Sequence, residues 1–139
     1  EPAGMAALMP RPDVAPEVAV REALAGIAAP GFASAHPDRL DQLVALSLAQ
    51  PTHGSVVQRQ MAVLEKHLAK EIGALTVPTM IVHGQADPLV PAGNGEALAE
   101  RMPHAELVSI PDVGHLPMWE APELLHAQTD RFYGAGSPQ

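Results

Sequence analysis

An α/β fold is predicted for this 139-residue chain by three observations. Apolar residues recur at helical spacing through the first half, two short β-prone runs (VPTMIVHG and ELVSI) lie in the second half, and a helix-length segment separates those two runs. The length suits one small domain able to bury a sizeable core.

The 15 prolines and 11 glycines cut the chain into its elements. EPAGMAALMPRPDVAP has too many prolines for more than a brief helix. Glu17 to Ala29 is Ala-rich and reads as a first helix, stopped by Pro30 and Gly31. Pro37-Asp38 opens a second, in which Leu40, Leu43, Val44 and Leu48 form an apolar stripe that Pro51 ends. A third is expected from Ser55 to Ile72, with Val57, Met61, Leu64 and Leu68 on one face and Gly73 near its end.

From Thr76 the pattern changes. VPTMIVHG, closed by Gly84, reads as a buried strand, and Asn94 is a candidate cap for a helix from Gly95 to Met102. Glu106 to Ile110 is a second strand closed by Pro111-Asp112. Pro122 opens a last helix with Leu124, Leu125 and Phe132 as its apolar positions, and GAGSPQ is a frayed tail. This β-α-β-α order implies parallel neighbouring strands with a right-handed crossover.

Composition excludes several classes of function. Eight basic residues, scattered, against 16 acidic ones leave a net charge of −8, which opposes binding to a nucleic-acid backbone. Phe32, Trp119, Phe132 and Tyr133 form no stacking platform for bases. No apolar run approaches the roughly 20 residues that cross a bilayer, and no signal segment opens the chain, so a soluble, cytoplasmic protein is expected. The absence of cysteine excludes disulfides, thiol nucleophiles and thiolate zinc sites within this sequence.

Parallel sheets hold ligands at the carboxyl ends of their strands. The loops there are GQADPLVP and PDVGHLPMWEAP, which present Asp87 and His115, 28 positions apart. That spacing is about one βα unit, so the two side chains can meet. Pro88 biases Asp87 toward extended backbone, and Gly84 and Gly114 supply freedom for sharp turns. A carboxylate bonded to one ring nitrogen fixes the tautomer of an imidazole that carries protons near neutral pH. Asp87 and His115 are therefore the candidate catalytic residues, an orienter and a base.

Val77, Pro78 and Thr79, then His83, Gly84, Asp87, Val90 and Pro91, then Gly114, His115, Glu120 and Pro122 resemble the ending of the α/β-hydrolase superfamily, in particular its esterase, lactonase and dehalogenase-like members. The resemblance covers about residues 75 to 133 and implies that Asp87 is a triad acid and His115 a triad base, with no cofactor or metal required. Residues 1 to 74, above all GFASAHPDRLDQLVALSLAQP, resemble more loosely the helical cap of such enzymes; residues 134 to 139 are a tail. The implied fold is a helical cap-like half followed by two β-α units of a parallel hydrolase sheet.

The family's nucleophile lies in a G-x-S-x-G elbow. None of Ser34, Ser47, Ser55, Ser109 and Ser137 has that pattern, so the nucleophile, whether Ser, Asp or Cys, and the front of the fold are expected to lie outside this sequence. A chain that begins at Glu1 is compatible with a fragment or a processed product. The expected function is a part of a hydrolase acting on an ester, lactone or similar bond of a small molecule, inactive alone. The alternative is a noncatalytic binding module. Two parallel strands with an open edge predict self-association or docking of the missing front half.

Met118 and Trp119 are candidates either to line an apolar substrate pocket or to pack beneath the last helix. His83 is a strand-end structural or pocket-edge residue, or, with Asp87 and His115, one arm of a two-histidine, one-carboxylate metal site. Asp112 reads as a turn former, and Glu120 as an acidic residue favouring the start of the last helix. His36, His53, His67, His104 and His126 follow no usable spacing.

Overall fold

The computed structural model describes residues 3–9, 11–50, 59 and 72–135. The helix expected from Ser55 to Ile72 lies outside the described residues except for Arg59 and Ile72. In the first half, α1 (Ala3–Ala7), α2 (Pro16–Ile27), α3 (Phe32–Ala35) and α4 (Pro37–Ala49) precede a 3-10 turn at Ile72–Ala74. The second half runs β1 (Thr79–Gly84), α5 (Gly93–Arg101), β2 (Ala105–Ile110), α6 (Pro117–Glu120) and α7 (Pro122–Ala135). The α/β class and the order β-α-β-α agree with the sequence reading.

Proline placement accounts for the helix starts. Pro16 and Pro37 occupy first-turn positions, where a missing N–H costs nothing and a fixed φ suits the helix. Ala28 ends α2 two residues earlier than expected, at φ −71° and ψ 166°, which turns the chain outward toward Gly31. Gly31 adopts φ +88°, a left-handed conformation that costs a glycine little, and the chain reverses there into the short α3. Ile27, Ala28, Ala29, Phe32, Leu40 and Val44 are buried in the core of this half.

β1 and β2 form a parallel two-stranded sheet with Thr79 paired to Ala105 and Gly84 to Ile110. The strand expected to be buried is half-buried from Thr79 to His83, because among the described residues only β2 flanks it. Its start is Thr79 rather than Val77: Pro78 has no N–H to give a ladder, whereas Thr79 N–H donates to the His104 carbonyl at 3.0 Å. Asn94 does not cap α5. A turn opened by Pro91, with Asn94 N–H donating to the Pro91 carbonyl, starts the helix at Gly93 and leaves Asn94 inside its first turn. The last helix continues through Gly134 and Ala135, which were assigned to the tail.

The helical half touches both loops at the sheet's carboxyl edge. Gly4 N–H in α1 donates to the Pro88 carbonyl at 2.8 Å, and His115 N–H donates to the Ile27 carbonyl at the end of α2 at 2.9 Å. No helix among the described residues is long and apolar enough to cross a membrane.

Candidate active site

The loop after β1 is shaped by its own carboxylate. Asp87 Oδ1 accepts from Leu89 N–H at 2.8 Å and from Val90 N–H at 2.9 Å, an Asx-type turn that spends one oxygen on the backbone and leaves the other free. His83, at the end of β1, bonds the Val90 carbonyl through Nε2 at 2.9 Å. A carbonyl only accepts, so this nitrogen carries the proton. The loop is thus held at both ends.

The loop after β2 turns at Asp112, whose φ of +55° is rare for a residue with a side chain and most tolerable for Asp or Asn. Its role as a turn former is therefore visible in the backbone. Val113 and Gly114 are buried behind it, and His115 emerges 28 residues after Asp87.

The two loops close on each other without a gap. Ala86 N–H donates to the Val113 carbonyl, and Gln85 N–H to the Ile110 carbonyl, both at 2.9 Å. Gly84 and Gly114 both have negative φ, so neither supplies the conformational freedom expected of it; both supply space. A Cβ on Gly84 would lie 2.2 Å from the Val113 carbonyl oxygen, and one on Gly114 would lie 2.3 Å from Ala29 N.

This closeness brings His115 Nδ1 to 2.8 Å from Asp87 Oδ2. The Asp87 side chain is 4% exposed, whereas that of His115 is 36% exposed. Nδ1 faces the carboxylate, so Nε2, on the opposite side of the ring, is the nitrogen available to a reactant. Burial alone pushes the Asp87 carboxyl up, but the bonds from Val90 N–H, His115 and Leu89 N–H, with the His115 charge, outweigh it and hold the group below its ordinary value. Asp87 is ionised at neutral pH.

A group with a depressed folded value stabilises the fold above its unfolded value and loses that contribution as the pH falls through the folded one. Acidification from about pH 5 to about pH 2 is therefore expected to lower the urea midpoint, and Asp87→Asn is expected to flatten that fall. An unchanged acid slope in the variant would exclude Asp87 as a contributor.

An open pocket of about 220 Å³ is lined by Val82, His83, Gly84, Asp87, Val90, Gly114, His115, Pro117 and Met118. Met118 is 56% exposed at this pocket. Trp119, its neighbour, is not among the lining residues; its carbonyl accepts from Arg39 Nη1 at 3.3 Å. The two residues paired in the sequence reading are thus separated by the turn of α6, a helix that reading left as loop.

Although His83 Nε2 lies 3.7 Å from Asp87 Oδ2, its proton is committed to Val90. Among the described residues no group of three or more His, Cys, Asp or Glu side chains is arranged to hold a metal. The Ser34 and Ser47 hydroxyls donate to the carbonyls of Gly31 and Leu43.

Glu120 corrects the reading most. It closes the single turn of α6 rather than opening the last helix, and its structural role is exerted by a carboxylate that turns back to the loop it follows. Oε2 accepts from Gly114 N–H at 2.8 Å and Ala29 N–H at 2.9 Å, and Oε1 from Leu116 N–H at 2.9 Å. The sequence signal was its position, five residues after His115 and two before Pro122.

Residues 58–122 match the family described as alpha/beta hydrolase fold. A pimeloyl-(acyl-carrier protein) methyl ester esterase of Nitrosomonas europaea is 31% identical over 75 residues, 53% of this chain and 30% of its own length. A thermophilic esterase from Thermogutta terrifontis superposes with a TM-score of 0.73 at 25% identity, over 86% of this chain and 44% of its own. An alpha/beta hydrolase enzyme from a Medee basin deep-sea metagenome library does so with a TM-score of 0.67 at 24% identity, over 89% of this chain and 46% of its own. This chain therefore spans less than half the length of each of these three proteins. The match at residues 58–122, just under half of the chain, and the shared parallel β-α-β arrangement give it the fold of the α/β hydrolases.

Proposed function

We propose that the chain supplies the acid and base of a hydrolase triad acting on an ester, lactone or similar carboxyl bond, with Asp87 as acid and His115 as base. The observation that carries this reading is the 2.8 Å bond between a buried carboxylate and a partly exposed imidazole at the mouth of a pocket. The esterase relatives support the bond type. Val82, Val90, Pro117 and Met118 suit the apolar part of a small-molecule substrate.

His115 Nε2 takes the hydroxyl proton of a serine nucleophile as its oxygen bonds to the carbonyl carbon, and returns that proton to the departing alkoxide. Water, deprotonated by the same nitrogen, then releases the acid and regenerates the hydroxyl. Asp87 holds Nδ1–H throughout and stabilises the imidazolium. The serine comes from a G-x-S-x-G elbow contributed by polypeptide outside these 139 residues, which docks beside the sheet edge.

The test is reconstitution. The pure chain is expected to give no turnover of short-chain p-nitrophenyl esters above buffer. Addition of an elbow-bearing front segment from an esterase of the same fold is expected to restore it, and His115→Ala in the reconstituted enzyme to abolish it. Turnover by the pure chain that disappears in His115→Ala would show that the nucleophile is internal. Restored turnover indifferent to His115 would overturn the acid–base reading.

A further inference from the structure

Glu120 takes no part in proton transfer, yet its carboxylate accepts three backbone hydrogen bonds beside the site. A carboxylate offers about four lone-pair positions, and charge-assisted bonds to backbone N–H groups are stronger than neutral ones. Three of those positions are filled by Gly114, Leu116 and Ala29. Gly114 and Leu116 are the residues on either side of His115. Ala29 belongs to the turn between α2 and α3, two residues after Ile27, the last residue of α2, whose carbonyl accepts from His115 N–H itself.

We infer that Glu120 is the positioning residue for His115: it clamps the peptides on both sides of the imidazole and locks them to the α2–α3 turn of the helical half. This rests on the acid–base reading of His115. The backbone around His115 has no slack of its own, since a Cβ on Gly114 would strike Ala29 N at 2.3 Å and the Ala28 carbonyl carbon at 2.5 Å. Two surfaces that close are held together only while the N–H groups between them are satisfied, and Glu120 satisfies one on the helical side and two on the loop side. The ring's Nδ1 therefore meets Asp87 at a distance set from α6 and α2 together.

The 139-residue chain itself, labelled with ¹⁵N, gives the test. The Nδ1–H of His115 bonded to Asp87 should produce a low-field proton resonance that His115→Ala removes. Glu120→Ala is expected to remove this resonance too and to speed amide exchange at Ala29, Gly114 and Leu116 by roughly tenfold or more. Leu40→Ala, which truncates the core of α4, is expected to lower the urea midpoint and leave the resonance intact.

A folded Glu120→Ala chain that keeps the resonance, or a Leu40→Ala chain that loses it equally, would overturn the positioning role. Should Glu120→Ala fail to fold, Glu120→Gln decides: its single amide oxygen can keep Ala29 and Gly114 protected while its NH₂ faces Leu116 N–H. Faster exchange at Leu116 alone is then expected, and no change at any of the three amides refutes the clamp. In the reconstituted enzyme, indifference to His115→Ala would sink the acid–base reading and leave these amide results standing. Dependence on His115 with an unaltered Glu120→Ala spectrum would sink the clamp alone.

Discussion

Asp87→Asn is expected to lower kcat/KM of the reconstituted hydrolase by about four orders of magnitude while leaving the fold in place. The side chain keeps its size, and its amide oxygen can still accept from Leu89 and Val90 N–H, the two bonds that shape the loop. The NH₂ then faces His115 Nδ1, where a donor meets a donor unless the ring changes tautomer. A ring that moves its proton to Nε2 loses its base there. The imidazolium formed during the reaction also loses its counter-charge. A drop in kcat with little change in KM, and a circular dichroism spectrum like that of the parent, are the expected results. A loss of tenfold or less would mean that Asp87 is not the acid.

Gly84→Ala is expected to destabilise the chain by about 3 kcal/mol, at the upper end of what overpacking costs. The added Cβ would lie 2.2 Å from the Val113 oxygen, 2.3 Å from the Gly114 oxygen and 2.7 Å from the Val113 carbon. All three are backbone atoms, so no side chain can rotate away. The loops must separate, which strains the Ala86 N–H bond to Val113 and the bond between Asp87 and His115. Urea denaturation and the low-field resonance of His115 should both register the change. Parent-like behaviour in both would show that the loops tolerate separation.

Much of the fold was legible because proline and glycine punctuate the chain at element boundaries. Pro37 and Pro122 mark helix starts through a local backbone property, and Gly84 stands at the end of β1. Asp87 and His115 were legible as well, since a βα unit carries two loops to one edge of a sheet whatever its details. The short helices α3 and α6 were not. Each spans four residues and has too few positions for a helical period to be recognisable.

The sequence by itself determined the α/β order, the parallel pairing implied by a crossover, and the placing of Asp87 and His115 on neighbouring loops at one sheet edge, because these follow from spacing along the chain. Only the tertiary structure decided why Gly84 and Gly114 are glycines, that Met118 and not Trp119 lines the pocket, and that Glu120 faces Gly114, Leu116 and Ala29. Those facts depend on which surfaces close against one another in space. A missing Cβ reads the same in one dimension whether it permits a turn or a contact, and a carboxylate shows its acceptors only once distant peptides have been brought to it.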